Sequence, residues 1–224
     1  MKPRRAFVVA ILGAESSGKT QLALDLERRL RADGVDACAV GEHLREFCDR
    51  NARTPRADEQ RAIAAEQTRR IDAAAARHAV VVADTTALMT AVYSEIVFRD
   101  TALYTEAEAA QRRCDLALLM ALDLPWRADG LQRDGAHVRA PVDALVRAAL
   151  ERIGQPFVVV AGSGTARVES ALRAVRRTIG APADSAQASA AGAAWHVRCE
   201  RCGDPDCERH LLPRARTGSK RVPG

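Results

Sequence analysis

The chain has 224 residues, of which 47% are apolar, so it is long enough for one substantial domain and too apolar for a disordered polypeptide. Its 34 basic and 29 acidic residues leave a net charge of only +5, which indicates a mixed-sign surface and does not favour a nucleic-acid partner. No segment has the roughly 18 consecutive apolar residues of a membrane span, so we expect no membrane partner.

The basic residues are almost all arginine. The chain has 31 arginines and three lysines, and we attribute this bias to codon usage rather than to nucleic-acid binding. Lys2 and Lys220 lie at the two ends of the chain, which leaves Lys19 as the single interior lysine.

The chain begins with a basic segment followed by a short apolar one. Residues 6–12 end in a glycine-rich loop and lack a cleavage site, which predicts a first β-strand and not a signal peptide. We therefore expect a cytoplasmic location. The singly placed cysteines Cys38, Cys48 and Cys114 agree with this location, since they are typical of buried thiols in a reducing compartment.

Apolar runs typical of buried strands alternate with helical stretches along the chain. The predicted strands are residues 6–12, 36–40, 79–83, 116–122 and 157–160. The predicted helices are residues 19–32, 57–77, 88–98, 106–113, 142–153 and 166–179. In the first helix Leu22, Leu26 and Leu30 recur every fourth residue, which predicts a buried face. This alternation predicts a three-layer α/β fold with a mostly parallel five-stranded sheet.

A phosphate-binding motif lies between the first strand and the first helix. Residues 13–20 fit G-x-x-x-x-G-K-[ST], in which glycines let backbone amides close around phosphate oxygens at a helix N-terminus. Lys19 would bind the β- and γ-phosphates of ATP, and Thr20 would offer its hydroxyl to Mg²⁺. The predicted nucleotide-binding residues are Gly13, Ala14, Glu15, Ser16, Ser17, Gly18, Lys19 and Thr20. Together with the alternating elements, the motif predicts a P-loop NTPase fold.

A second ligand for Mg²⁺ is expected at the end of another central strand. Asp84 follows the apolar run of residues 80–83, at the edge of the sheet where ligands gather. The same aspartate could cap the next helix, and the two roles are compatible. After the last strand, residues 162–165 form a turn that either holds adenine or simply begins a helix capped by Thr165.

The composition changes after residue 180. Residues 181–194 have no large apolar side chain, which predicts a flexible linker. We therefore expect a P-loop kinase or NTPase domain over residues 1–180, the linker, and a short Cys/His-rich C-terminal tail over residues 195–224.

The tail carries a cluster of soft metal ligands. Its spacing suits a tetrahedral structural Zn²⁺, with His196 as a substitute for the last ligand. The predicted zinc ligands are Cys199, Cys202, Cys207 and His210. The alternative is a basic tail with reactive cysteines and no metal. In either form the tail could contact a protein partner.

Four segments resemble the P-loop kinase domain of NadR-type ribosylnicotinamide kinases and the wider AAA-domain group around them. The loop, with its glutamate and paired serines, is similar to the family's G-x-E-S-S-G-K-[ST], and residues 42–47 to E-x-x-R-E-[FY]. Residues 84–86 resemble D-T-D, and residues 124–133 contain a lid segment similar to W-x-x-D-G-L-R. Two positions depart from these patterns: Thr86 replaces the second acid, and Gln132 replaces the lid arginine.

The resemblance implies an ATP- and Mg²⁺-dependent kinase that phosphorylates a small hydroxyl-bearing acceptor, with ribosylnicotinamide and NAD salvage as the expected substrate and context. The residues implied in catalysis are Lys19, Asp84, Glu42 and Arg133. Glu42 or Asp84 would orient the acceptor. Arg133, together with Arg127 or Arg139, would neutralise charge on the transferring phosphoryl group.

Two other functions remain open on sequence grounds. The first is an ATP-dependent regulatory or interaction module, in which the nucleotide sets a conformation and the tail contacts a partner. The second is a nucleic-acid-associated ATPase that uses the basic tail.

Overall fold

A computed structural model describes residues 5–126 and 136–180 of the chain. Its strands are β1 (Phe7–Leu12), β2 (Ala37–Val40), β3 (Val80–Asp84), β4 (Leu116–Met120) and β5 (Phe157–Val160). Its helices are α1 (Lys19–Ala32), α2 (His43–Asn51), α3 (Gln60–Ala75), α4 (Ala87–Phe98), α5 (Tyr104–Gln111), α6 (Arg139–Arg152) and α7 (Gly164–Gly180). Short 3-10 turns, Ala57–Glu59 and Ala136–Val138, precede α3 and α6.

The strands form one parallel sheet in the order β2-β3-β1-β4-β5. The central strand β1 pairs with β3 on one side and β4 on the other, so Ile11 lies between Asp84 and Leu118. All carboxyl ends therefore meet at one edge of the sheet, and the loops after β1, β3, β4 and β5 converge there. The predicted α/β fold with a parallel five-stranded sheet is confirmed.

Helices cover both faces of the sheet and make the three predicted layers. Alternate residues of β1 point to opposite faces, so Val9 and Ile11 pack with α1 and α7, whereas Ala10 and Leu12 pack with α4 and α6. On the second face α3 also covers the sheet, through Ile71. The predicted leucine stripe of α1 lies fully within the first of these cores. Among the described helices, none is long and apolar enough to cross a membrane.

The structure differs from the predicted elements mainly in α2 and α6. Helix α2 is not among the predicted helices, because it has no apolar stripe and buries only Cys48. An ion pair from Arg70 of α3 to Glu46, at 2.7 Å, holds it instead. Helix α6 begins three residues earlier than predicted, with Pro141 in its first turn, where a missing N–H costs no helical hydrogen bond.

The cysteines of the described domain are free thiols, as predicted. Cys48 is buried, and Cys38 and Cys114 are partly buried. Burial raises the pKa of the Cys114 thiol to about 12, which makes it a poor nucleophile at neutral pH.

Several predictions fall on segments outside the described residues. These are the linker and tail from residue 181 onwards, with the four zinc ligands, and the lid residues 127–135, which include Arg127 and Arg133. The domain boundaries, the zinc site and the roles of these arginines stay predictions.

Candidate functional site

The loop between β1 and α1 has a backbone that only particular residues can adopt. Gly13 has φ 141° and Gly18, which caps α1, has φ 82°. A Cβ on Gly13 would lie 3.0 Å from the Cβ of Met120, a contact that a larger residue could make only if Met120 moved by a few tenths of an ångström. Ser16 also has a left-handed backbone, with φ 52°. These conformations turn the chain sharply and bring the start of α1 against the ends of β1 and β4.

Lys19 folds its side chain back over this loop. Its Nζ donates hydrogen bonds to the carbonyl oxygens of Gly13, at 2.9 Å, and Ala14, at 3.0 Å. The hydroxyl of Ser17 also donates to the Ala14 carbonyl, at 2.7 Å. The loop is therefore closed on itself, and the ammonium is held at its centre with one N–H direction left for a ligand.

Acidic side chains from three segments surround this ammonium. Desolvation of the Nζ atom lowers the pKa of Lys19, and the nearby carboxylates of Glu42, Asp84 and Glu15 oppose this shift. The positive charge of Arg45, in α2, lowers the pKa of Lys19 further. The tertiary structure thus brings together the residues that the sequence placed in the loop, at the end of β3 and at the start of α2.

Asp84 is a buried carboxylate without a hydrogen-bond partner. It ends β3 beside β1, its residue is only 2% exposed, and neither carboxylate oxygen has a partner in the described part of the chain. Because a buried charge is costly without hydrogen bonds or a counter-ion, its oxygens fit a bound cation. Thr20, the other predicted Mg²⁺ ligand, is exposed at the first turn of α1. Mg²⁺ needs only one or two such protein oxygens when phosphates and water complete its shell.

Thr86, which replaces the family's second acid, has a structural role here. Its hydroxyl caps α4 by accepting from the Leu88 amide, at 3.3 Å, and donates to Gln111 Oε1, at 2.7 Å. The buried chain continues from Gln111 Nε2 to Gln155 Oε1 and from Gln155 Nε2 to the Cys114 carbonyl. The Cys114 carbonyl can only accept, so Gln155 must donate to it and accept from Gln111. This orientation turns the oxygen of Gln111, a hydrogen-bond acceptor, towards Thr86.

Restoring the acid at this position should therefore destabilise the protein. In Thr86→Asp a carboxylate would face the oxygen of Gln111 in a buried space, where two acceptors cannot bond. We expect unfolding to become easier by about 1–3 kcal/mol. Thermal denaturation measures the change, with Thr86→Ser, which keeps the donating hydroxyl, as the control. A Thr86→Asp protein as stable as the wild type would contradict this assignment.

Gln67 positions the start of α2, and sequence reasoning missed it. Its Oε1 accepts from the His43 amide at 2.8 Å, and its Nε2 donates to the carbonyl of Gly41 at 3.2 Å and, more weakly, to that of Thr85 at 3.4 Å. Gln67 thereby joins the ends of β2 and β3. Because it is hydrogen-bonded to Gly41 and His43, the two neighbours of Glu42, it also fixes the backbone at Glu42. The signal in the sequence is a polar residue on the buried stripe of α3, one turn before Ile71.

The start of the lid lies against the loop. Trp126 Nε1 donates to Glu15 Oε2 at 3.4 Å. The buried Arg139, expected to act together with Arg133, donates from Nη1 to the Leu124 carbonyl at 2.9 Å. Its Nε and Nη2 have no partner among the described residues. Arg139 therefore lies inside the protein and not on a solvated surface.

Comparisons with solved structures show the same fold in other proteins. A structure titled as NadR in complex with NR superposes with a TM-score of 0.65 at 21% identity, and one of NadR with NAD and AMP-PNP with 0.58 at 22%. In both cases the match covers 79% of this chain, which spans only 50% of those chains. Thymidylate kinase from Ehrlichia chaffeensis matches with a TM-score of 0.55 at 13% identity, over 79% of this chain and 100% of its own.

Sequence comparison identifies the family. No curated protein matches the chain. Residues 8–167, which run from β1 through the first turn of α7, match the family described as an AAA domain. The match includes the phosphate loop, Asp84 and the segment after β4, so the predicted resemblance to this group is confirmed. The chain belongs to the AAA-domain family of P-loop proteins.

Proposed function

We propose that the protein is an ATP- and Mg²⁺-dependent kinase that transfers the γ-phosphoryl group of ATP to a hydroxyl of a small acceptor, with ribosylnicotinamide as the first candidate. The observation that carries the proposal is that Lys19 lies near the buried carboxylate of Asp84, which has no hydrogen-bond partner among the described residues. A cation site next to a phosphate loop is what phosphoryl transfer from a nucleotide requires.

The choice of acceptor rests on the neighbouring structures. Both NadR structures share the fold of this chain, and one is a complex with NR and the other a complex with NAD and AMP-PNP. The thymidylate kinase match supports the reaction class, since its acceptor is also a small molecule. We carry ribosylnicotinamide, the compound abbreviated NR, to this chain as the acceptor to test first.

Four residues of this chain supply the chemistry in this proposal. The loop amides and Lys19 bind the phosphates of ATP, and Asp84 with Thr20 would hold Mg²⁺, which neutralises phosphate charge when bound. Glu42, whose carboxylate influences Lys19 and whose side chain is 16% exposed, would receive the proton of the acceptor hydroxyl.

The reaction then follows from this placement. The acceptor oxygen forms a bond to the γ-phosphorus while the bond from that phosphorus to the β–γ bridging oxygen breaks. ADP leaves with the bond's electron pair, and the hydroxyl proton passes to Glu42. Charge on the transferring group would be balanced by Lys19 and by Arg133, together with Arg127 or Arg139.

The direct experiment combines the protein with ATP, Mg²⁺ and ribosylnicotinamide and detects the phosphorylated product and ADP by mass spectrometry. In Glu42→Gln we expect ATP affinity to be kept and transfer to fall about 100-fold, because the proton acceptor is lost. Glu27→Gln, which alters a carboxylate paired with Arg31 on the surface of α1, is the matched control.

Other results would select other functions. Intact ATP binding without product from ribosylnicotinamide or a panel of nucleosides would contradict the kinase proposal and favour a regulatory module. Salt-sensitive binding to DNA or RNA that stimulates ATP hydrolysis would favour a nucleic-acid-associated ATPase.

A further inference from the structure

Arg167, on the first turns of α7, is a buried arginine that joins three loops at the carboxyl edge of the sheet. Its Nη1 donates to the Ser17 carbonyl in the phosphate loop, at 2.5 Å, and its Nε donates to the Gly162 carbonyl after β5, at 2.7 Å. Its Nη2 donates to the carboxylate of Asp123, just after β4. The side chain of Arg167 is only 5% exposed. One guanidinium therefore contacts the loops that follow three neighbouring strands.

Asp123 completes the arrangement from the other side. Its second carboxylate oxygen accepts from the Gly162 amide, at 2.5 Å. Both main-chain polar groups of Gly162 are thus held by the Arg167–Asp123 pair. Gly162 has φ 91°, so the chain turns sharply at the point where it is held. The position of the loop after β5 relative to the phosphate loop is set by this pair.

The contact with Ser17 also orients an amide of the phosphate loop. The described backbone contains no cis peptide bonds, so the amide N–H of Gly18 points opposite to the Ser17 carbonyl. Since that carbonyl points at Arg167, the Gly18 amide points away from α7. Arg167 thereby fixes the direction of one donor in the loop predicted to bind phosphate.

We propose that Arg167 and Asp123 are a positioning pair, which holds the phosphate loop and the loop after β5 at the separation needed to bind the triphosphate and the base of one nucleotide together. This inference rests on the proposed function, because it assumes that the loop after β5 is the adenine-binding turn. Neither residue needs to touch the nucleotide. If the pair had only a structural role, its loss would lower the stability of the protein without changing the affinity for ATP relative to that for the phosphates alone.

The test compares ATP with inorganic tripolyphosphate, which has the phosphates but no base. We expect Arg167→Ala to weaken ATP binding by about tenfold or more, since charge-assisted hydrogen bonds are lost, and to weaken tripolyphosphate binding clearly less. Calorimetry gives both affinities, and thermal denaturation confirms that the variant is folded. Arg173→Ala, an exposed arginine on the same helix, is the matched control and should bind both ligands like the wild type.

Asp123→Asn carries the same test if Arg167→Ala does not fold. Its side chain is 34% exposed, and asparagine still accepts from Gly162 but loses the ion pair, so we expect a smaller shift in the same direction. Unchanged ATP affinity in a folded variant, or equal losses for ATP and tripolyphosphate, would overturn the inference. These experiments measure binding and not phosphoryl transfer, so they test the positioning pair independently of the reaction. A wild-type protein that binds ATP but transfers no phosphoryl group would contradict only the proposed function.

Discussion

Replacing Lys19 by alanine should reduce ATP turnover by about 10²- to 10³-fold while the domain stays folded. The ammonium bridges the Gly13 and Ala14 carbonyls at 2.9 and 3.0 Å, so its removal takes away both a phosphate ligand and the group that closes the loop. Burial of hydrophobic residues on both faces of the sheet does not depend on this side chain, which is why the fold should survive. Steady-state turnover and circular dichroism measure the two effects.

Lys19→Arg tests whether the shape of the lysine side chain matters as well as its charge. It keeps the charge, but a planar guanidinium cannot sit between two carbonyls as a compact ammonium does, so we expect a loss similar to that of Lys19→Ala. Arg28→Ala, on the exposed side of α1, is the control and should turn over ATP normally. If Lys19→Ala turned over ATP at the wild-type rate, the assignment of Lys19 as a phosphate-binding residue would be wrong.

The titration of Lys19 gives the same site a pH dependence. Desolvation lowers the pKa of Lys19 below its ordinary value of 10.5 in the protein without nucleotide. The neutral amine forms above this pKa and cannot balance phosphate charge, so kcat/KM for ATP should fall on the alkaline side below pH 10.5. This alkaline fall should be absent from the residual activity of Lys19→Ala.

Replacing Asp84 by asparagine should remove the dependence on Mg²⁺. The asparagine keeps the size of the side chain but not its charge, and a neutral amide is a weak ligand for a hard cation. We expect turnover to fall by about 100-fold or more. We also expect Mg²⁺-ATP to raise the melting temperature less than in the wild type, because the weaker binding of Mg²⁺ stabilises the native state less.

The matched control for Asp84→Asn is Asp115→Asn. Asp115 also lies next to a strand of the sheet, but it is bonded to Arg5 and to the Val8 amide near the amino end of β1, away from the phosphate loop. Its replacement should affect stability alone. If Asp84→Asn still turned over ATP in a Mg²⁺-dependent manner, Asp84 would not be a ligand of the metal.

The helices and strands were largely predictable because their signals are local. A run such as the apolar 80–83 or the leucines of α1 shows its period within a few residues, and the five strands and the phosphate loop were found in this way. The bounds of α6 and the existence of α2 were not, since α2 is held by an ion pair from α3 rather than by an apolar face of its own.

The candidate site was predictable only in part, for the same reason. Glu42, Asp84 and Lys19 were found from motif positions, and the structure brings them together. Gln67 and Arg167 were not found, because each is a polar residue on an otherwise apolar helical face. What makes each of them matter is a hydrogen bond to a distant backbone atom.

The sequence by itself determined the alternation of strands and helices, the phosphate loop and the meaning of its one interior lysine, because these depend on neighbours within a single strand or turn. Only the tertiary structure decided what surrounds that lysine. The lack of a hydrogen-bond partner for Asp84 among the described residues, the bond from Thr86 to Gln111 and the bond from Arg167 to Ser17, 150 residues apart in the chain, depend on how the elements pack. The alternation of elements predicts a parallel sheet, but it does not encode which strands are neighbours or which side chains meet at its edge.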